Sequence, residues 1–307
     1  MKTVLLAGGT GGAKLAHGLQ QVLPPGDLAV IVNVADDLEW QGLPVSPDLD
    51  TILYTLAGLA DPVQGWGVAG DTQTAMGMLE RYNAETWFRV GDADLATHLH
   101  RAALMREGAS LTDATAALAA ALGVPSRLLP ATDDRVRTVV ETSAGDMAFQ
   151  DYFVRRRQQD EVTGLRFEGA EQARPSAAGV AAIAEAELVV IGPSNPLVSI
   201  GPILAMPAMR QAVESAPGRR LGVSGIVAGK AIRGPADRML ASLGHEATAR
   251  GVAELYRGLL DRFVIDEADA ELAPAIGELG MEVSVLPTVM RSDEDRAQLA
   301  RSLVALA

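Results

Sequence analysis

The chain opens on an apolar run, Met1 to Ala7 (MKTVLLA), that breaks at once into Gly8-Gly9-Thr10-Gly11-Gly12-Ala13-Lys14. This passage from strand to glycine loop constrains the fold more than any other feature. A short unbroken apolar run suits a strand buried on both faces, and such strands belong to parallel sheets covered by helices. Glycines let backbone N–H groups approach a phosphate closely, and a helix N-terminus favours negative charge. A second apolar run, Leu28 to Val34, ends in Ala35-Asp36-Asp37, and Ser46-Pro47-Asp48-Leu49-Asp50-Thr51 then opens a helical pattern. Carboxylates so close to a phosphate loop are what a magnesium ion needs if it is to bridge phosphate oxygens. The combination points to nucleotide or diphosphate chemistry; a glycine-rich turn without a ligand is the plainer alternative.

Two named motifs fail when tested. A P-loop needs Gly-Lys followed by Ser or Thr, but Ala13 precedes Lys14 and Leu15 follows it. The dinucleotide fingerprint starting at Gly9-x-Gly11 would need a glycine at position 14. The chain has no cysteine, which excludes disulfides, zinc ribbons and thiol catalysis. Its four histidines, His17, His98, His100 and His245, show no metal-ligand spacing. A net charge of −13 argues against a nucleic-acid partner, since phosphate backbones need basic surfaces. An anionic substrate must then rely on local cations, which singles out Lys14, Arg89, Arg155 to Arg157 and Lys230. The opening strand leaves no room for a signal peptide, and prolines interrupt the longest uncharged stretch, Leu188 to Met209. A soluble cytoplasmic protein without a membrane partner is expected.

Apolar runs at Val4–Ala7, Leu28–Val34, Leu188–Ile191, Leu221–Val223, Phe263–Ile265 and Val283–Leu286 read as buried strands. Helical patterns at Ala13–Val22, Thr51–Leu59, Ala236–Leu243 and Thr248–Asp261 lie between or beside them. The alternation predicts an α/β fold, a Rossmann-like, mostly parallel sheet with helices on both faces. Ser292-Asp293-Glu294-Asp295 is a near capping box ahead of a last helix. The middle differs: Thr72 to Leu122 reads as mainly helical, and Arg127 to Arg155 alternates like antiparallel strands (Val136, Thr138, Val140; Phe149, Asp151, Phe153). We therefore expect one domain over 1–307, with a core of about 1–60 and 176–307 and an inserted α+β elaboration of about 61–175.

A second set of signals follows the later strands. Gly192-Pro193-Ser194-Asn195-Pro196 directly follows the strand ending at Ile191, and loops at the carboxyl ends of strands form the crevice of an open α/β sheet. Ser194, Asn195 and Ser199 can present donors and acceptors there. Ser224 to Asp237, with Gly229-Lys230 and Gly234, is a similar loop. Asp48 and Asp50, two apart, do not share a helical face; Asp48 reads as an N-cap and Asp50 as the better candidate for chemistry. Asp36 and Asp37 read either as acidic ligands or as a turn after the strand. Trp87, Arg89 and Asp92 sit where an apolar segment breaks. Trp66 reads as a stacking platform or as a partly buried structural side chain, and Arg155 to Arg157 as a solvated face.

In order along almost the whole chain, Gly8–Leu15, Asn33–Asp37, Pro47–Thr51, Gly65–Gly67, Trp87–Asp92 with Leu95-Ala96-Thr97-His98, Thr132-Asp133-Asp134, Phe149–Val154, Gly192–Pro202 and Lys230–Asp237 resemble the 2-phospho-L-lactate transferase family of coenzyme F-420 biosynthesis. The resemblance implies a guanosine diphosphate-linked organic-acid donor and a deazaflavin acceptor, Fo (7,8-didemethyl-8-hydroxy-5-deazariboflavin). The ribityl hydroxyl of Fo attacks the phosphorus next to the acid, and GMP leaves. It further implies magnesium, with manganese as a substitute, and a homodimer. Carried over by position, Asp50 becomes the candidate catalytic residue and an acceptor or metal contact, joined at the metal by Asp36 or Asp37. Arg89 and Trp87 fall to the deazaflavin. Gly9, Thr10, Gly11, Gly12, Lys14, Ser194, Asn195 and Lys230 fall to the nucleotide. Two positions depart from the family pattern: Ser224-Gly225-Ile226 stands where Ser-Pro-Ile is common, and Ala93 where a charged residue is. The donor's acid stays open among phospholactate, phosphoenolpyruvate and 3-phosphoglycerate. A gluconeogenesis-factor-like regulator that binds a nucleotide or nucleotide sugar without catalysis is the alternative, although such proteins usually lack the Pro-Asp-Leu-Asp and Trp-Phe-Arg-x-Gly-Asp segments. A nucleotide-sugar transferase is a third reading.

Overall fold

The computed structural model describes all 307 residues, Met1–Ala307. Seven strands build the central sheet: β1 (Thr3–Ala7), β2 (Leu28–Val32), β3 (Arg127–Pro130), β4 (Leu188–Ile191), β5 (Arg219–Val223), β6 (Arg262–Asp266) and β7 (Glu282–Leu286). Every neighbouring pair is parallel. The spatial order is β3-β2-β1-β4-β5-β6-β7. This is the doubly wound order of dinucleotide-binding folds with one strand added, so the chain reverses direction between β1 and β4. A crevice opens at such a reversal, beyond the carboxyl ends of the strands.

Successive strand residues supply the two faces. Val4 and Leu6 join Ile31, Val189 and Ile191 in one apolar core, whereas Leu5 and Ala7 join Val30, Val32, Leu188 and Val190 in the other. Both cores are dry, which is why these strands read as continuous apolar runs rather than as alternation. Helices α1 (Gly9–Val22), α2 (Pro47–Leu56) and the C-terminal helix Asp293–Ala305 cover the second core. Helices Pro207–Glu214 and Ala249–Leu255 contribute to the first. The C-terminal helix starts where its capping signal placed it: Ser292 Oγ accepts from the Asp295 N–H at 3.1 Å.

Between α2 and β4 lie α3 (Thr74–Arg81), α4 (Asp92–Arg106), α5 (Leu111–Ala121) and, after β3, a three-stranded antiparallel sheet with Arg137–Thr142 at its centre. Two expectations change here. Arg127–Pro130 does not join the antiparallel ribbon but pairs in parallel with β2, so the main sheet draws an edge strand from inside 61–175. Phe149 to Phe153, expected as a strand, instead enters a π-helical turn at Asp151–Arg155 that leaves Phe149 and Phe153 stacked at 5.3 Å. The starts of α3 and α4 are tied together by exchanged caps. Asp92 accepts from the Thr74 and Ala75 N–H groups at 3.0 and 2.9 Å, while Asp71 accepts from Ala93 and Asp94 at 2.8 and 3.0 Å. Each carboxylate sits against the positive end of a helix, and together they fix the start of α4 against the start of α3. No helix is long and apolar enough to cross a membrane.

Candidate active site

A cavity of about 910 Å³ lies over the carboxyl ends of the strands. Its wall is formed by the loops after β1 (Gly8 to Gly11), β4 (Pro193 to Asn195), β5 (Ser224, Gly225) and β7 (Thr288 to Met290), and by residues from 36–98 and 149–157. The last loop is held in place by Asp266 at the end of β6, which accepts from the Thr288 N–H at 2.8 Å and its hydroxyl at 2.9 Å.

The glycine loop is shaped by packing as much as by any ligand. Gly9 has φ +60°, in the left-handed region, which a side chain would strain. A Cβ on Gly11 would lie 2.3 Å from the Pro193 carbonyl oxygen, and one on Gly12 would lie 2.7 Å from both Ala7 Cβ and Ser194 Oγ. Ser194 clamps the turn: its hydroxyl accepts from the Gly8 N–H at 3.1 Å and donates to the Gly8 carbonyl at 2.8 Å. Asp48 accepts from the Gly9 N–H at 2.8 Å. The next N–H groups of α1, those of Thr10 and Gly11, have no side-chain cap, which is the arrangement that receives a phosphate oxygen. Lys14 enters the same wall and donates to the Met290 carbonyl at 2.9 Å. No carboxylate pairs with it, and burial, with Arg296 and Arg233 nearby, lowers its pKa.

The carboxylates fall into two groups. In the first, the buried Asn33 side chain donates to Asp36 at 3.0 Å and to Asp48 at 3.1 Å. One amide thus serves two acids, and Asp36 Oδ1 has no partner at all. Burial, then repulsion from Asp48, holds the Asp36 carboxyl well above its ordinary range. Burial pushes Asp48 up to about 6, against the bonds from Asn33 and Gly9. In the second group, Asp50 is engaged through both oxygens by the guanidinium of Arg101 on α4. His98 Nδ1 lies 3.6 Å from Asp50, and His98 Nε2 lies 3.4 Å from Asp94, which also accepts from the Tyr54 hydroxyl at 2.7 Å. Asp50, Asp94 and His98 have ligand atoms close enough together to hold a metal, but Arg101 already supplies the positive charge at Asp50.

Of the expected site residues, Gly9, Thr10, Gly11, Lys14, Asp36, Asp50, Trp87, Arg89, Ser194 and Asn195 line one cavity; Gly12, Asp37 and Lys230 do not. Asp37 is half-buried outside the cavity lining, where it accepts from Ser46 at 2.6 Å, and desolvation raises its pKa. Asp36, Asp37 and Asp50 are therefore not gathered round one point. Lys230 is exposed and pairs with Asp237 at 3.7 Å; Arg233, three residues on, lines the cavity instead. The N-cap of α2 is Ser46, and Asp48 turns back to the glycine loop rather than capping its own helix. Asp48 and Asp50 do diverge, as their spacing requires. Arg155 stands 5.0 Å from the Trp87 ring centre and Arg157 lines the cavity, so this triplet is not simply a solvated face. Arg89 is half exposed, donating to Gln73 at 3.1 Å. Asn33, Asp48, Asp94 and Arg101 carried no site assignment from the sequence. For Asn33 the only signal was its place in the motif that ends in Asp37.

Fold and cavity define a doubly wound protein that presents a glycine loop, a free carboxylate oxygen and an aromatic wall to one chamber. The family model described as 2-phospho-L-lactate transferase CofD matches residues 3–284. The chain is 38% identical to the 2-phospho-L-lactate transferase of Methanosarcina mazei, over 98% of this chain and 99% of that one. It is 42% identical to the phosphoenolpyruvate transferase of Streptomyces coelicolor, over 100% of this chain and 98% of that one. It also superposes on a protein of the UPF0052 family from Bacillus halodurans with a TM-score of 0.66 and 16% identity, covering 98% of both chains, which shows a shared fold alone. The chain belongs to the 2-phospho-L-lactate transferase family.

Proposed function

We propose that this protein transfers a phospho-organic-acid group from a guanosine diphosphate-linked donor to the ribityl hydroxyl of Fo. The oxygen–phosphorus bond forms at the acid-bearing phosphate, the bond from that phosphorus to the GMP oxygen breaks, and the hydroxyl proton is released. One observation carries the reading: the phosphate end of the cavity (Thr10, Gly11, Lys14) and its aromatic end (Trp87, Phe149, Phe153) share a single chamber with Asp48 and Asp50. A diphosphate and a flat ring system can thus meet where charge must be neutralised and a hydroxyl aligned. The relatives' names support the same chemistry with either phospholactate or phosphoenolpyruvate as the acid.

The residues fit a magnesium ion. Asp36 offers a buried oxygen without a partner, and Asp36 with Asp48 forms a crowded acidic pair to which no basic side chain is bridged. In this reading Asp36 and Asp48 hold Mg²⁺, or Mn²⁺, which supplies charge neutralisation on the diphosphate. Asp50 receives the acceptor hydroxyl, and Arg89 and Trp87 flank the deazaflavin. A homodimer and a cytoplasmic site of action belong to the same proposal. The test is mass spectrometry of the purified protein with Fo and Mg²⁺, incubated separately with the phospholactate, phosphoenolpyruvate and 3-phosphoglycerate donors. One donor is expected to give a deazaflavin phosphodiester together with GMP. Nucleotide binding without product from any donor would overturn the reading in favour of a non-catalytic binder.

A further inference from the structure

Asp50 stands on α2 in the core, yet what holds it comes from α4, 51 residues away. On α4, Asp94, His98 and Arg101 are spaced i, i+4, i+7 and so share one helical face. On α2, Asp50 and Tyr54 are likewise i, i+4. The two stripes meet: Arg101 engages both Asp50 oxygens and lies 3.4 Å from His98 Nδ1, while Tyr54 closes the far end on Asp94. Side-chain exposure is 1% for Arg101 and 6% for Asp50, so solvent hardly competes for either. Burial disfavours the guanidinium charge, but Asp50 outweighs it and raises the Arg101 pKa. A carboxylate accepts about four hydrogen bonds, and a bidentate arginine takes two of them in fixed directions. The remaining lone pairs of Asp50 are then aimed rather than free to rotate.

We propose that Arg101 is a positioning residue for the transfer: it locks the Asp50 carboxylate in the one orientation that receives the acceptor hydroxyl. This rests on the role given to Asp50 above. The inserted helix α4 is thereby part of the catalytic apparatus, because it supplies the cation that orients a core residue on α2, a helix with no basic residue of its own. Lysine cannot substitute fully, since a single ammonium gives no planar two-point contact.

The experiment measures kcat, both KM values and melting temperature for Arg101→Gln, Arg101→Lys, Asp50→Asn and the double variant Asp50→Asn/Arg101→Gln. Arg101→Gln should lower kcat about 100-fold, the scale of a misplaced reacting group. It should raise KM for the deazaflavin and leave KM for the guanosine donor within about threefold. Arg101→Lys should recover part of the loss. The double variant, which has no unpaired buried charge, should regain the melting temperature without regaining turnover. If Arg101→Gln melts early but turns over normally per folded molecule, the arginine is only a brace and the proposal fails. A double variant that recovers turnover together with stability refutes it equally. Should Asp50→Asn itself remain active, the role of Asp50 fails first and the proposal falls with it; an inactive Asp50→Asn beside an active Arg101→Gln sinks the positioning role alone.

Discussion

The acidic pair beneath the glycine loop gives this protein an unusual dependence on pH. Most carboxylates that interact in a fold are stabilised as anions, so acid destabilises them. Asp48 has the opposite sign: its carboxyl is held at about 6 instead of 3.8, because burial disfavours its charge. The folded state therefore holds this proton more tightly than the unfolded chain. Its contribution is fully present below pH 4 and is lost as pH rises through 6. At about 1.4 kcal/mol per pH unit the loss approaches 3 kcal/mol, and roughly 1–3 kcal/mol once the solvent-facing cavity side is allowed for. Asp36 and Asp37, also raised by burial, act in the same direction. For a chain of this length about 1 kcal/mol moves the melting temperature by roughly 1.5 °C, so Asp48 accounts for about 2–5 °C. His17 opposes it, since burial lowers the imidazole pKa, and a comparison with Asp48→Asn separates the two. The asparagine keeps an oxygen for the Gly9 N–H and has no proton to lose. Thermal unfolding from pH 4.5 to 7.5 in EDTA should show the wild type falling relative to Asp48→Asn. If Mg²⁺ binds the ionised acids as proposed, it should raise the wild-type melting temperature more at pH 7.5 than at pH 5. Parallel curves for the two proteins, or a Mg²⁺ shift of equal size at both pH values, would refute the reasoning.

Two further substitutions probe the two ends of the cavity. Gly11→Ala puts a Cβ 2.3 Å from the Pro193 carbonyl, a backbone atom that cannot swing aside. It should destabilise by about 1–3 kcal/mol and abolish tight GDP binding in calorimetry; unchanged melting and affinity would show that the loop is looser than its packing indicates. Arg89 makes only exposed contacts, to Gln73 and Glu80, and such contacts contribute little to stability. Arg89→Ala should melt within about 1 °C of wild type and raise KM for the deazaflavin while sparing the guanosine donor. Equal loss of both affinities would remove its assignment to the ring.

Local pattern alone carried much of the architecture. Strands β1, β2, β4 and β6 were legible because their residues are buried on both faces, and β5 through its buried half Leu221–Val223. β7, a partly exposed edge strand, was legible only from its three apolar residues Val283, Val285 and Leu286. The Ser292 cap was legible because its chemistry is contained within a few residues. The Gly8–Gly12 turn was legible because its glycines cluster in the sequence, although what makes them necessary is contact with distant residues such as Pro193 and Ser194. β3 was misplaced because Arg127 and Pro130 leave only Leu128 and Leu129 as an apolar run, too short to read as a buried strand, and its pairing with β2 is visible only in the fold. Lys230 and Arg233 show the limit in the site: either cation suits an anion, and only the path of the loop decides which one faces the cavity. Asn33 looks like a residue ending a strand until Asp36 and Asp48 converge on its amide.

The sequence by itself determined the doubly wound core, the glycine turn, the supply of carboxylates and the family. The tertiary structure decided which carboxylates are bare and which are matched. Asp36 is left with an unpaired oxygen, whereas Asp50 meets Arg101 from another helix. The reason is physical. Periodicity and capping act over a few residues and leave a readable trace in composition. A buried charge is neutralised by whatever the fold brings within a few ångströms, and an arginine destined for the interior has the same letter as one destined for water.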